Sequence, residues 1–190
     1  MQTPEDYASL ARRILIIGSG GAGKSTFARR LSQATALPLI HLDKIFWKPG
    51  WVESSKEAFD AKIDQIASQP EWIMDGNFNR TLEMRLRLAD LVFYLDIPRW
   101  ICLRNVLKRV LFARPEGRPD MAAGCPEKVD WAFLQWIWNF RKTHHERYLR
   151  LLEESGKPYL VLRNYRDIER IFEKQAEVLT SGADQPKDEA

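Results

Sequence analysis

Cysteine is scarce in this 190-residue chain. Cys102 and Cys125 are the only two, without paired spacing, so neither a disulfide framework nor a thiolate metal cluster can be built from them. Histidine is nearly as rare, and the adjacent His144 and His145 diverge on a helix, which makes a poor metal site. Long apolar runs are missing, and none approaches the roughly 20 residues that span a bilayer. The opening MQTPEDYASLAR has acids and no apolar stretch. It predicts no signal peptide and, with it, reduced thiols in a cytoplasm. There is no Asn-Lys-x-Asp guanine-reading motif, no internal repeat and no linker that would split a domain. A net charge of +3 is too mild to argue for nucleic acid, although it suits small anionic ligands.

What remains is the composition of a soluble globular protein, 45% hydrophobic and 29% charged. The pattern predicts strands over Ile14–Ile17, Leu39–Leu42, Trp72–Asp75, Leu91–Leu95 and Tyr159–Leu162. Helices are expected between them. The first runs from Lys24 to Gln33, with Phe27, Ala28 and Leu31 on its inner face. The next opens at a Ser54/Glu57 capping box. Others cover Thr81–Leu88, Pro98 to about Phe112, about Glu127 to Glu154, and Asn164 to Leu179. Alternating strands and helices imply an α/β fold, a parallel sheet covered on both faces. One domain over residues 1–180 is expected, with residues 181–190 a disordered tail.

The stretch Gly18-Ser19-Gly20-Gly21-Ala22-Gly23-Lys24-Ser25-Thr26 matches the P-loop pattern, with a strand before it and a helix after it. Its glycines let backbone N–H groups wrap a β-phosphate, and the helix N-terminus adds a favourable dipole. Lys24 is expected to reach the β- and γ-phosphates, and Ser25 to ligate Mg²⁺. ATP and Mg²⁺ are the expected cofactors. The third strand ends Asp75-Gly76, a magnesium aspartate without the glutamate that often follows in hydrolysing NTPases. The phosphoryl group is therefore expected to go to another molecule, not to water.

The whole resembles the small P-loop kinases related to adenylate kinase. It is similar in particular to the bacterial proteins named DNA topology modulation proteins. The resemblance rests on IIGSGGAGKST, HLDKIFWKPGW, WIMDGNF, and RPDMAAGCPEK followed by FLQWIWNF. It implies a three-layer fold, a five-stranded parallel sheet in order 2-3-1-4-5 and a short lid at about residues 113–126. It also implies a link to DNA supercoiling. No helix shows a basic face with base-reading residues, so DNA contact is expected to be at most weak and non-specific. The alternative is a nucleotide-dependent DNA-binding regulator of topology with no small-molecule acceptor.

Several side chains then stand out. Arg114 and Arg118 lie in the lid loop, where transfer needs cations around the moving group. Arg141 falls inside the apolar arc of the long helix, formed by Trp131, Phe133, Leu134, Ile137, Trp138 and Phe140. It is either a structural ion pair or an arginine serving the cleft. The tryptophans of that helix read as core. The resemblance implies that Arg104 or Arg109 touches the adenine and that Arg163 lies where the base is clasped. It also implies that Asp43, closing the second strand, binds the acceptor hydroxyl and steadies Mg²⁺ through water, with Asp75 beside it. A turn or cap residue is the plainer role for Asp43. Phe46, Trp47 and Trp51 fit either an aromatic wall for a planar acceptor or the anchor of a flap. Arg80 follows Asp75 without the Asp-Gly-Phe-Pro-Arg run of nucleoside monophosphate kinases.

Overall fold

The structure is a computed structural model that describes residues 11–112, 120–126 and 128–183. In chain order the elements are β1 (Arg13–Gly18), α1 (Lys24–Thr35), β2 (Leu39–His41), α2 (Leu42–Phe46), β3 (Trp47–Lys48), β4 (Val52–Glu53) and α3 (Lys56–Ala67). They continue with β5 (Trp72–Asp75), α4 (Asn79–Leu88), β6 (Leu91–Leu95), α5 (Arg99–Leu111), α6 (Trp131–Ser155), β7 (Tyr159–Leu162) and α7 (Tyr165–Ala183). Five strands form a parallel sheet in the order β2-β5-β1-β6-β7. Counting the sheet's own strands alone, this reads 2-3-1-4-5.

The apolar runs of β1 and β6 become central strands because both their faces are covered. Side chains alternate across a strand, so Ile14 and Ile16 feed one core cluster while Leu15 and Ile17 feed the other. Phe27, Ala28 and Leu31 dock α1 on the first of these clusters. Phe59 and Ile63 dock α3 on the second. The reciprocal cap before α7 forms as the residue types require: Asp167 N–H donates to Asn164 Oδ1 at 3.0 Å and Asn164 N–H to Asp167 Oδ2 at 3.3 Å.

Several expected boundaries shift. Strand β2 ends at His41, so Asp43 sits in the first turn of α2 and does not close the strand. The α3 cap is Ser55, whose hydroxyl accepts from Ala58 N–H at 3.2 Å. Ser54 is taken by another partner, donating to Ile45 O at 3.0 Å. Helix α6 begins at Trp131, not Glu127, because Asp130 caps it and accepts from Phe133 N–H at 3.1 Å. Trp131 is 79% exposed and Trp138 36%, so they are not core as expected. The face of α6 that packs is Ile137, Phe140, Tyr148 and Leu152. Helix α7 runs past Leu179 to Ala183, into the segment expected to be disordered, and residues 184–190 lie outside the described residues. Among the described residues no helix is long and apolar enough to cross a membrane.

The segment after β2 holds a feature that sequence patterning does not foresee. Strands β3 and β4 make a small antiparallel hairpin, with positive φ at Gly50 (78°) and Trp51 (62°) turning the chain. The hairpin is fastened to the loop before α6. Gly50 N–H donates to Gly124 O at 2.8 Å, Trp51 Nε1–H to Pro126 O at 3.0 Å, and the Cys125 thiol to Lys48 O at 3.2 Å.

Candidate active site

The phosphate loop leaves β1 at Gly18 and enters α1 at Lys24. Gly23 caps α1 with φ 92° and no side chain closes its end, so the first N–H groups of the helix remain available to a ligand. The loop's glycines are demanded from beneath. A Cβ at Gly21 would run into the Cys102 carbonyl, and one at Gly20 would stand 2.6 Å from the Phe133 ring. Lys24 is half-buried and its amine donates to Ser19 O at 3.0 Å, folded over the loop it serves. Ser25 is half-buried and Thr26 exposed. This arrangement fits a nucleotide's phosphates. A Mg²⁺ would rest on Ser25, one or two carboxylates and phosphate oxygens, the ligand set this ion prefers.

Next along the carboxyl edge of the sheet, His41 and Asp75 stand in register on β2 and β5. Both are buried, and the His41 ring nitrogen Nδ1 meets Asp75 Oδ2 at 3.0 Å. The carboxylate expected to face a metal is thus shared with an imidazole. Two residues on, Asn77 clamps the loop's first glycine from both sides. Gly18 N–H donates to Asn77 Oδ1 at 3.0 Å and Asn77 Nδ2 donates to Gly18 O at 2.9 Å. The turn that carries Asn77 is held by Arg85, which is fully buried. Its guanidinium donates to Thr81 Oγ1 at 3.1 Å, to Gly76 O and Phe78 O at 3.0 Å each, and to Asn77 O. Desolvation lowers the Arg85 pKa, and the carbonyl dipoles around it help to keep the cation in place.

On the other side of β1, Asp96 follows β6. Its carboxylate is 6% exposed, with Oδ2 3.3 Å from Arg141 Nη2 and Oδ1 3.6 Å from His145 Nδ1. Ser19, Asp96, Arg99, Phe140 and Arg141 line one cleft beside the phosphate loop. Arg141 is therefore at the cleft, on the same helical face as Ile137, Tyr148 and Leu152, but with its side chain 64% accessible and paired with Asp96 at the rim. Tyr94 hydroxyl shares a hydrogen bond with His145 Nδ1 at 3.0 Å, and burial raises the Tyr94 pKa, keeping the phenol neutral. Burial also pushes the Cys102 thiol up to about 11, which leaves it unreactive under the loop.

At the residues expected to meet the base, Arg104 is exposed and Arg109 half-buried, while Asn105 between them faces the loop. Asn105 Nδ2 donates to Gly21 O at 2.8 Å and to the Tyr165 hydroxyl at 2.7 Å. Arg163 is exposed at the end of β7, and its backbone N–H donates to Asp167 Oδ2 at 2.8 Å. Arg114 and Arg118 lie outside the described residues.

No family model matches the chain. It is similar to the adenylate kinase of Thermotoga petrophila, 31% identical over 77 residues, which is 40% of this chain and 34% of that protein. Among solved structures it is similar to the shikimate kinase from Acinetobacter baumannii in complex with shikimate. The TM-score is 0.56 at 16% identity, over 96% of this chain and 100% of that one. The deoxyadenosine kinase from M. mycoides gives 0.51 at 15% identity, over 88% and 98%. The chain shares the overall fold of these two solved kinases. The chain spans about a third of the length of the first curated relative it matches.

His41, Asn77, Arg85, Asp96 and Asn105 are the residues that sequence reading passes over. A lone histidine or asparagine carries no spacing signal. The one available clue was Asp96 beside Ile97-Pro98 at a strand's carboxyl end, where open α/β sheets gather ligands.

Proposed function

We propose that this protein is an ATP-dependent phosphotransferase acting with Mg²⁺ on a small-molecule acceptor. The observation that carries the reading is the open, uncapped phosphate loop, with carboxylates at the neighbouring strand ends and aromatic rings in the segment after β2. The similarity to proteins named adenylate, shikimate and deoxyadenosine kinase supports a small acceptor, as fold-level analogy. In this reading Gly18–Thr26 bind the phosphates. Lys24 follows charge onto the γ-phosphoryl group, with Arg141 and the lid's Arg114 and Arg118 around it. Ser25 would hold Mg²⁺ directly, with Asp43 and Asp75 steadying it, and the ion would supply neutralisation of charge on the phosphates. Asp43 takes the proton as the acceptor oxygen bonds to phosphorus and the bridging P–O bond breaks. Asn105 and Tyr165 shape the base side together with Arg104, Arg109 and Arg163.

The test is ATP consumption by the purified full chain, screened over nucleosides, nucleotides, sugars and cofactor precursors. ADP should form faster with one acceptor class than without. Equal ADP release with and without every compound would overturn the assignment.

A further inference from the structure

Strands β2 and β5 end level with each other, and the residues that end them are His41 and Asp75. Residues opposite each other in a sheet turn to the same face, and here the two side chains meet. His41 Nδ1 lies 3.0 Å from Asp75 Oδ2, and both side chains are buried. A carboxylate oxygen accepts, so Nδ1 carries the proton and donates it. The pair is not needed to hold β2 on the sheet. The β2–β5 ladder does that through the backbone from Leu39 to His41.

The backbone beneath Asp75 is fixed from several directions. Strand β5 is paired with β1 on one side and β2 on the other, with Ile16 opposite Asp75. Gly76 N–H donates to Ile16 O at 3.1 Å, and Arg85 holds the turn that follows. That turn carries Asn77, whose amide clamps Gly18 at the start of the phosphate loop. Asp75 is thus built rigidly into the edge from which the loop springs. What its backbone cannot fix is the rotation of the carboxylate, a torsion with broad preferences. The imidazole removes that freedom by engaging Oδ2. The other oxygen, Oδ1, carries no hydrogen bond among the described residues and is not sealed from solvent.

Resting on the phosphotransferase reading, we infer that His41 is a positioning residue for the metal side of the nucleotide site. Its Nδ1–H locks the Asp75 carboxylate so that Oδ1 is the oxygen presented to Mg²⁺ bound with the phosphates. The role is orientation alone, and no bond is made or broken at His41. Groups behind a metal-facing side chain fix its direction, and their loss weakens metal affinity or activity about 10- to 100-fold. The imidazole does here for a carboxylate what a carboxylate does elsewhere for a metal-bound histidine.

The experiment is calorimetry of ATP binding to the full chain, once in EDTA and once with Mg²⁺. The ratio of the two affinities isolates what the ion adds, and wild type should bind more tightly with Mg²⁺. His41→Ala should keep its EDTA affinity within about two-fold and lose most of the tightening by Mg²⁺. His41→Asn, which can place an amide N–H near the position of Nδ1, should restore most of it. His41→Gln keeps a polar side chain but moves the donor, so it should behave like His41→Ala and carries the test if that variant does not fold. Asp75→Asn should lose the same tightening, and adding His41→Ala to it should take nothing further. Full tightening in His41→Ala and His41→Gln overturns the positioning role while the phosphotransferase stands. So does equal weakening with and without Mg²⁺, which marks the pair as structural, or a failure of His41→Asn to restore. A wild-type affinity that ignores Mg²⁺ overturns the positioning role as well. Absence of ATP binding by wild type under both conditions overturns the phosphotransferase reading itself.

Discussion

The two halves of the candidate site are made by different means. The nucleotide half is nine consecutive residues, Gly18–Thr26, and its chemistry is backbone N–H groups plus one amine. The acceptor half is made of side chains that meet only after folding. His41 finds Asp75 across 34 positions, and Asn77 finds Gly18 across 59. A phosphate is recognised by geometry that one short peptide can carry. An individual acceptor needs a pocket, and several elements have to converge to build it. The comparison can be broken or sharpened one residue at a time.

The largest effect belongs to the nucleotide half. Lys24→Ala removes the side chain able to follow charge onto the transferred group, and turnover should fall by several orders of magnitude. The melting temperature should stay close to wild type, because the hydrogen bond of the amine goes to Ser19 O within the loop itself. Comparable kcat in wild type and variant would remove the loop from catalysis.

Asp43→Asn should separate the halves. Phosphate contacts come from the loop backbone and Lys24, so ATP affinity by calorimetry should stay within a few-fold. Transfer to an acceptor should drop roughly a hundred-fold or more, the scale of general-base loss. Normal turnover, or loss of ATP binding, would return Asp43 to the role its position in the first turn of α2 also fits, that of a turn residue.

Between these stands Asp96, marked in the sequence only by its place just after a strand's carboxyl end. Its buried carboxylate sits 3.3 Å from the rim arginine Arg141. Asp96→Asn should cut the preference for a triphosphate over a diphosphate about three- to ten-fold, because Arg141 loses the charge that aims it. In an Arg141→Ala background the same change should add nothing. Equal weakening of both nucleotides would mark Asp96 as structural only.

Legibility follows the same division. The strands Trp72–Asp75, Leu91–Leu95 and Tyr159–Leu162 have the bounds that their short apolar runs predict, and Leu91–Leu95 is buried along its whole length. The Asn164/Asp167 cap is local and so legible. The β3–β4 hairpin is not: two residues per strand carry no alternation, and its turn uses Trp51 at positive φ where pattern favours Gly or Asn. Arg85 reads as one more exposed arginine of a helix. Only the fold shows that its fork organises the turn from Gly76 to Phe78.

Asn77 joins the halves, so its loss should be felt by both. Asn77→Ala deletes a pair of part-buried hydrogen bonds to Gly18 and leaves that backbone N–H and carbonyl to find other partners. A cost of about 1–3 kcal/mol is expected in denaturant unfolding. Weaker nucleotide binding should accompany it, since the loop's first glycine is released. A stability loss with unchanged nucleotide affinity would show that the loop holds its shape unaided.

The smallest effect tests whether the acceptor-side hairpin and the loop before α6 move together. Among the described residues three hydrogen bonds join them, and one can be removed while an aromatic ring is kept in place: Trp51 Nε1–H to Pro126 O at 3.0 Å. Trp51→Phe removes that donor and keeps an aromatic ring beside Trp47. The Gly50–Gly124 bond and the Cys125–Lys48 bond remain, so the strap should loosen and not detach. The net worth of one exposed hydrogen bond is about 0.5–1.5 kcal/mol, and the global melting temperature should barely move because the sheet carries most of the stability. Hydrogen exchange should instead quicken a few-fold in two separate stretches at once, residues 48–52 and 120–126. Acceleration in both, with the sheet unaffected, would make hairpin and loop one cooperative unit. Acceleration in the hairpin alone would mean that the acceptor side opens independently of the loop that follows the lid.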